Sequence, residues 1–170
     1  MYNNFENDPR RKQEIRCRPF ADDIYKKVFG DSIQIMRDTD IVLDQEFAID
    51  VRLILSNGMN LLGQEKFLSQ RYAKYRSVTV EYYQNQFTKE PGDWFKIGVQ
   101  FYFVGYEVKD GFLPFILLDW TKVTLDTLHD KIRWNHNKNN DGKAKASFVW
   151  TKMDDIPNNC VIARRLKANK

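Results

Sequence analysis

Cysteine and histidine are scarce in this sequence of 170 residues. The two cysteines, Cys17 and Cys160, lie far apart and neither belongs to a Cys-x-x-Cys pair, so we expect neither a disulfide framework nor a zinc site. His129 and His136 are seven residues apart instead of at the i, i+4 spacing of a helical metal pair, and we interpret both as structural or surface residues. Glycine-rich phosphate loops and the motifs of serine or cysteine nucleophiles are also absent, which excludes those classes of site, and we expect no organic cofactor.

Long apolar segments are missing as well. No apolar run approaches the roughly 18 residues that a membrane span needs, and the N-terminal stretch has no apolar core followed by a small-residue cleavage site. We therefore expect a soluble, cytoplasmic protein without a secretion signal. Internal repeats and low-complexity linkers are absent too, whereas 42% hydrophobic and 14% aromatic residues suffice for a folded core. The sequence predicts a basic N-terminal extension over 1–18, one domain over 19–157 and a basic C-terminal tail over 158–170.

Charge is unevenly distributed along the chain, whose net charge is +4. Residues 1–18 hold five Lys/Arg against three acids, residues 19–130 hold twelve against seventeen, and residues 131–170 hold ten against three. An acidic middle between basic ends suits a protein whose centre binds a cation and whose periphery contacts phosphates. Basic ends that serve only solubility are the alternative.

The hydrophobic pattern predicts an α+β fold with a mixed or antiparallel sheet. Apolar residues at four-residue steps, ended by Gly30, predict a helix over 19–29. Asn57-Gly58 between two apolar runs is the strongest hairpin signal in the chain. Strands are predicted over 32–36, 47–55, 60–67, 77–83, 101–107, 112–120 and 146–153. Helices are predicted over 94–100 and 121–134, and loops over 84–92 and 135–145.

The register of the predicted hairpin decides which side chains share a face. Side chains alternate along a strand, so Gln64 and Lys66 project together and the residue between them points the other way. With a two-residue loop over 57–58, Asp50 lies opposite that intervening residue. With a three-residue loop over 56–58 that ends in a left-handed glycine, Asp50 lies opposite Gln64.

The second register places Asp50, Gln64 and Lys66 on one face, which is the arrangement of a hydrolytic metal site. Mg²⁺ or Mn²⁺ prefers hard oxygen ligands, and these would come from Asp50, the amide oxygen of Gln64 and the backbone carbonyl of Glu65. Lys66 would orient or activate the attacking water and offset the charge of a phosphate. The side chain of Glu65 would instead pair with a basic residue on the opposite surface.

Other residues are candidates for completing such a site. Five carboxylates before the hairpin or on the strand after it are candidates for an additional ligand: Asp22, Asp23, Asp40, Asp44 and Glu81. Basic residues expected to contact nucleic acid follow the hairpin or lie near the C-terminal end: Arg71, Lys74, Arg76, Lys143, Lys145, Arg164 and Arg165. A solvated tail is the alternative for the second of these groups.

Asp50 followed by Gln64-Glu65-Lys66, after a predicted helix and strand, resembles the PD-(D/E)xK nuclease superfamily, whose core carries Asp on one strand and Glu-x-Lys or Asp-x-Lys on the next. Residues 49–106 are also similar to uncharacterised phage and prophage proteins. The resemblance implies a restriction endonuclease-like α/β/α core, with a central mixed sheet flanked by helices. It also implies Mg²⁺- or Mn²⁺-dependent cleavage of DNA, in the host cytoplasm if the protein is phage-encoded.

Two positions depart from the superfamily pattern: no proline precedes Asp50, and Gln64 stands where the motif has an acid. Losing that charge weakens metal affinity, which favours an alternative, a catalytically silent module that binds nucleic acid or a phage protein. A generic α+β interaction domain is a third hypothesis. A homodimer is open as well, because restriction-like enzymes often pair subunits to cut both strands.

Overall fold

The computed structural model describes residues 9–37, 47–137 and 145–167, which form a mixed α+β fold as the hydrophobic pattern predicts. The helices are α1 (Pro9–Phe29) and α2 (Trp120–Leu128). The strands are β1 (Gln34–Met36), β2 (Val51–Ile54), β3 (Asn60–Leu68), β4 (Ser77–Asn85), β5 (Glu90–Pro91), β6 (Phe101–Val108), β7 (Gly111–Asp119), β8 (Asn135–Asn137), β9 (Ser147–Lys152) and β10 (Val161–Arg165). Short 3₁₀ helices lie at Gln70–Tyr75, Asp93–Phe95, Met153–Asp155 and Asn158–Cys160.

The strands form two sheets. The larger sheet has the order β1-β2-β3-β6-β7-β10, and the smaller one has the order β5-β4-β9-β8. β3 and β6 run parallel, whereas every other neighbouring pair among the described strands is antiparallel. Two adjacent parallel strands need a long crossover, and here the crossover contains β4 and β5 of the smaller sheet. The smaller sheet is thereby carried onto one face of the larger sheet.

β6 lies in the middle of the larger sheet and sends side chains into two cores. Phe101 and Phe103 pack beneath α1, where the Tyr25 ring meets them edge-on at centroid distances of 5.4 and 5.8 Å. Tyr102 and Val104 point to the other face, against the smaller sheet and α2. The second face of the larger sheet is thus covered by a sheet as well as by a helix. The resemblance instead implies helices on both faces.

α1 begins at Pro9 instead of at residue 19. Pro19 lies inside the helix at an exposed position, so the carbonyl that loses its helical donor is open to water. Gln13 and Arg16 donate hydrogen bonds to Glu107 at the end of β6, which holds the first half of the helix on the larger sheet. Part of the predicted N-terminal extension therefore belongs to the fold.

Three exposed strands lie where the sequence predicts none. β5 falls in the predicted loop over 84–92, β8 in the predicted loop over 135–145, and β10 in the predicted tail over 158–170. Every residue of β5 and β8 is exposed, and β10 is mostly exposed, so none of them produces the apolar alternation that marks a half-buried strand. Their backbone pairing with β4, β9 and β7 is what makes them strands.

The two later helices are shorter than predicted. The helix expected over 94–100 is limited to the 3₁₀ helix Asp93–Phe95, and the helix expected over 121–134 ends at Leu128. Asp130, with a φ of 56°, turns the chain out of α2. In the part of the chain that the structure describes, no helix has both the length and the apolar character needed to cross a membrane.

A buried acid in α2 joins this helix to the C-terminal segment. Asp126 is 6% exposed and accepts hydrogen bonds from Asn159 Nδ2 (3.0 Å), Lys131 Nζ (3.1 Å) and Cys160 Sγ (3.3 Å). The hydrogen bond from Asn159, followed by the one from Lys131, lowers the pKa of the Asp126 carboxyl below its ordinary value of 3.8. The charged form of Asp126 therefore stabilises the packing of α2 against the residues that lead into β10.

Replacing Asp126 with asparagine is expected to lower the free energy of unfolding at neutral pH, because the amide loses the charge-assisted hydrogen bonds. Since the folded pKa lies below 3.8, this stabilisation is fully present above pH 3.8 and is lost as the pH falls through the folded value. Urea unfolding at neutral pH and near pH 3 measures the free energy of unfolding of both proteins. The difference between the wild type and the variant should be smaller near pH 3. Asp130→Asn is the control, because asparagine tolerates a positive φ. An equal deficit at both pH values would contradict the electrostatic origin.

Candidate functional site

The hairpin between β2 and β3 takes the three-residue loop of the two alternatives that the sequence allows. The Leu55 amide donates to the Met59 carbonyl over 2.8 Å, and Gly58 has a φ of 81°. β2 pairs with β3 in the register of that loop as far as Val51, which lies opposite Gly63, and this register directs Asp50 towards Gln64. The condition on which the predicted metal site depends is therefore met.

Asp50 stands where β2 separates from β3. Its amide donates to the Gly63 carbonyl over 2.9 Å, and its Oδ2 accepts a hydrogen bond of 2.8 Å from the Glu65 amide. Ala48 has a φ of 51°, an unfavourable value for a residue with a Cβ and one of the strained conformations that cluster at functional sites. The Glu65 carbonyl points from the same edge of β3 as the Glu65 amide, so it lies on the edge that Asp50 occupies.

Side chains on β3 alternate between the two faces of the larger sheet. Gln64 and Lys66 point towards the smaller sheet, whereas Glu65 points towards α1. Arg37 holds Glu65 with two hydrogen bonds, Nε to Oε2 at 2.7 Å and Nη2 to Oε1 at 2.8 Å, and Tyr25 donates to Oε1 at 2.9 Å. The prediction that Glu65 pairs with a basic residue on the opposite surface is confirmed.

The two polar atoms of the Gln64 side chain differ, because among the described residues only one of them has a hydrogen-bond partner. Its side chain is buried, with 8% of the residue exposed, and Nε2 donates to Asp93 Oδ2 over 3.0 Å. Oε1 is buried and has no hydrogen-bond partner among the residues that the structure describes. Buried acceptors in proteins almost always have a partner, so an acceptor of this kind calls for a water molecule or a cation.

Lys66 lies against the smaller sheet, with Nζ 5.1 Å from the centre of the Phe148 ring. Burial lowers the pKa of the Lys66 ammonium below 10.5, while the negative charges of Asp93, Glu81 and Asp50 act in the opposite direction. The negative charges of three carboxylates thus act on one ammonium group. Such a group is suited to hold a water molecule or to offset the charge of a phosphate.

Glu81 and Asp93 both come from the crossover between β3 and β6. A Cβ at Gly92 would lie 2.7 Å from the backbone oxygen of Glu81, so the absence of a side chain there lets the 3₁₀ helix pack against β4. Asp93 Oδ1 then lies 3.6 Å from Lys96 Nζ. Burial, followed by the negative charge of Asp93, raises the pKa of Glu81 above 4.5. The two acids therefore interact with each other as well as with Lys66.

The structure separates the candidates for an additional acid. Glu81 interacts electrostatically with Lys66. Asp22 lies on α1 and pairs with Arg37 over 2.6 Å, and Asp23 is exposed on the same helix. Because α1 covers the opposite face of the larger sheet, these two acids are not brought to the site. The candidates that fall outside the described residues are Asp40, Asp44 and, among the basic residues, Lys143.

The basic residues predicted to contact nucleic acid fall on separate surfaces. Two are exposed on the 3₁₀ helix that follows β3: Arg71 and Lys74. Arg76, at the end of that helix, forms an ion pair with Asp154 whose Nη2 to Oδ2 distance is 2.5 Å. Three further candidates are exposed before β9 or on β10: Lys145, Arg164 and Arg165. The pair after β3 is the one attached directly to the strand that carries Gln64 and Lys66.

The oxygen atoms around β3 are of the chemical type that binds a hard divalent cation. The Asp50 carboxylate, the buried Gln64 Oε1 and the Glu65 carbonyl are ligands of the type that Mg²⁺ accepts. Within the described residues, no group of three or more His, Cys, Asp and Glu side chains lies close enough together to hold a metal. A cation here would thus depend on amide and backbone oxygens and would keep several waters, as Mg²⁺ does.

Asp93 and Lys96 are the residues of this site that the sequence did not indicate. Asp93 precedes the helix predicted over 94–100; in the structure it is the first residue of a 3₁₀ helix, and its carboxylate accepts a hydrogen bond from Gln64. Their link to β3 depends on the parallel pairing of β3 with β6, which carries the intervening residues across the face of Gln64 and Lys66. Polar residues in that crossover are the signal that would have indicated them.

Comparisons with known proteins give no family assignment. No protein family model, curated protein or solved structure matches the chain significantly. A proposal for function therefore depends on the geometry around β3 and on the resemblance of its motif.

Proposed function

We propose that this chain is a metal-dependent nuclease that hydrolyses phosphodiester bonds in DNA. The observation that carries the proposal is the buried Gln64 Oε1, which has no partner among the described residues and lies on the strand face towards which the β2–β3 register directs Asp50. The larger sheet is mixed, with the aspartate at the start of one strand and Gln64-Glu65-Lys66 on the next, which supports a restriction endonuclease-like core.

The protein groups have separate roles in this proposal. Asp50, Gln64 Oε1 and the Glu65 carbonyl would hold Mg²⁺ or Mn²⁺, which when bound polarises a phosphate and lowers the pKa of a water molecule. The hydrogen bond from the Glu65 amide fixes the Asp50 carboxylate, so the ligand is oriented before substrate arrives. Lys66 holds the attacking water and offsets the negative charge that builds up on the phosphate.

Contact with the rest of the DNA is proposed to come from exposed basic residues. Arg71 and Lys74 lie on the 3₁₀ helix that follows β3 and present cations to solvent. Phosphate contacts of this kind give affinity that does not depend on sequence and that weakens as the salt concentration rises. Binding is therefore expected to be salt-dependent, with little discrimination between sequences.

The test is cleavage of plasmid and branched DNA by the purified protein with Mn²⁺, with Mg²⁺ and with EDTA. Cleavage is expected with either metal and not with EDTA. Asp50→Asn keeps an acceptor for the Glu65 amide but removes the charge, and it should reduce the rate by at least about 100-fold. Asp110→Asn, at the turn between β6 and β7, is the matched control and should cleave like the wild type. Full cleavage by Asp50→Asn, or none by folded wild type, would contradict the proposal.

A second candidate function is a catalytically silent module that binds nucleic acid or a phage protein. It is favoured by Gln64 at the position of the acid and by the absence of a three-acid metal cluster among the described residues. Salt-dependent DNA binding without metal-dependent cleavage would support this candidate over the nuclease. A generic interaction domain would show neither property.

A further inference from the structure

Asp93 is hydrogen-bonded to the Gln64 side chain. Its Oδ2 accepts from Gln64 Nε2 at 3.0 Å, and its Oδ1 lies 3.6 Å from Lys96 Nζ. Gly92 brings this aspartate close to β4, because a side chain at position 92 would overlap the backbone of Glu81. Asp93 is thus held by the Gln64 amide, by the Lys96 ammonium group and by the close packing of Gly92 against β4.

This contact determines which end of the Gln64 amide faces Asp93. A carboxylate can only accept hydrogen bonds, so the NH₂ group must face it and the carbonyl oxygen must point elsewhere. Gln64 Oε1 is consequently the end that stays buried without a partner among the described residues. Turning the amide over would set two oxygens against each other and is unfavourable. Asp93 therefore selects the orientation in which Gln64 presents an oxygen ligand.

The same contact accounts for glutamine at position 64. A glutamate there would place a second carboxylate about 3 Å from the half-buried Asp93, and two carboxylates at that distance cannot both be ionised without a penalty. The negative charge that the superfamily motif has at position 64 is instead found on Asp93, which also interacts electrostatically with Lys66.

We infer that Asp93 is a positioning residue of the metal site: it orients Gln64 so that Oε1 faces the cation, and it supplies the negative charge that position 64 lacks. The inference rests on the proposed nuclease function and assigns a role to a residue outside the motif. Gln64 and Asp93 therefore form a coupled pair. The amide and the acid can exchange positions, but two acids at these positions would repel each other.

The first test is a double-mutant cycle on the metal-free protein. At neutral pH, Gln64→Glu should lower the melting temperature by roughly 4–8 °C through repulsion between the two carboxylates. Asp93→Asn should have a small effect, because the asparagine side chain still offers an oxygen to Gln64. The double variant Q64E/D93N restores a donor facing a carboxylate and should recover at least half of the loss. Additive changes would overturn the coupling, and this readout requires neither metal nor activity.

The second test is Mn²⁺ binding measured by calorimetry or electron paramagnetic resonance. Asp93→Asn should weaken Mn²⁺ affinity by roughly 10–100-fold while the fold is retained, and Asp110→Asn should leave it unchanged. Wild-type binding that Asp93→Asn does not alter would overturn the inference but leave the proposed function standing. Absence of Mn²⁺ binding by the wild type would overturn the metal-dependent function and the metal role of Asp93 together.

Discussion

Replacing Lys66 with alanine is expected to reduce metal-dependent cleavage of DNA by about 10²–10³-fold. The negative charges of Asp50, Glu81 and Asp93 all act on this ammonium group, and the variant would remove a cation that interacts with each of them. A phosphate that approaches the site would then meet a more negative protein surface, and the attacking water would lose its donor. Initial rates of plasmid nicking in Mn²⁺ measure the effect.

Two further variants keep the Lys66 experiment interpretable. Lys66→Met preserves the apolar stem that packs towards Phe148, so it separates the loss of charge from the loss of packing and should be as inactive as the alanine variant. Lys122→Ala removes an ammonium group from the exposed surface of α2 and should not change the rate. A Lys66→Met variant that cleaves at the wild-type rate would exclude a role for this lysine in catalysis.

Replacing Arg37 with methionine is expected to lower the free energy of unfolding by about 3–5 kcal/mol, because it leaves a buried carboxylate without its partner. Arg37 contacts Glu65 twice and Asp22 once, and the exposed fractions of the Arg37 and Glu65 side chains are 10% and 4%. A charge that is taken out of water without a partner costs much more than an ion pair gains. Urea unfolding of the wild type and the variant measures the difference.

A second substitution identifies the origin of that loss. In the double variant R37M/E65Q the buried charge is gone and Tyr25 can still donate to the amide oxygen, so most of the stability should return. Arg133→Met, at an exposed position after α2, is the matched control and should change stability by less than about 0.5 kcal/mol. If R37M/E65Q were no more stable than Arg37→Met, lost packing and not an unpaired charge would be the cause. Because the Glu65 amide holds Asp50, we also expect Arg37→Met to slow cleavage.

Elements with a strong local pattern were predictable. The hairpin at Asn57-Gly58 follows from turn residues between apolar runs, the strands over 101–107 and 112–120 follow from apolar runs of their own, and the structure contains all of them. β5, β8 and β10 were missed, because exposed strands have no alternation of apolar residues and exist through backbone pairing with other strands. The same limit applies to the first half of α1, whose contact is with the end of β6.

The sequence by itself determined that Gln64 and Lys66 share a face, because alternation along a strand is a local property of the backbone. It narrowed the position of Asp50 to two registers, and a left-handed Gly58 distinguished them in the structure. Only the tertiary structure determined which residues contact Gln64 and Lys66 on that face. Asp93 is 29 residues from Gln64 along the chain, and the two meet because the parallel pairing of β3 and β6 carries the intervening residues over the sheet. Local patterns specify the direction of a side chain, whereas its partner depends on how distant strands pair.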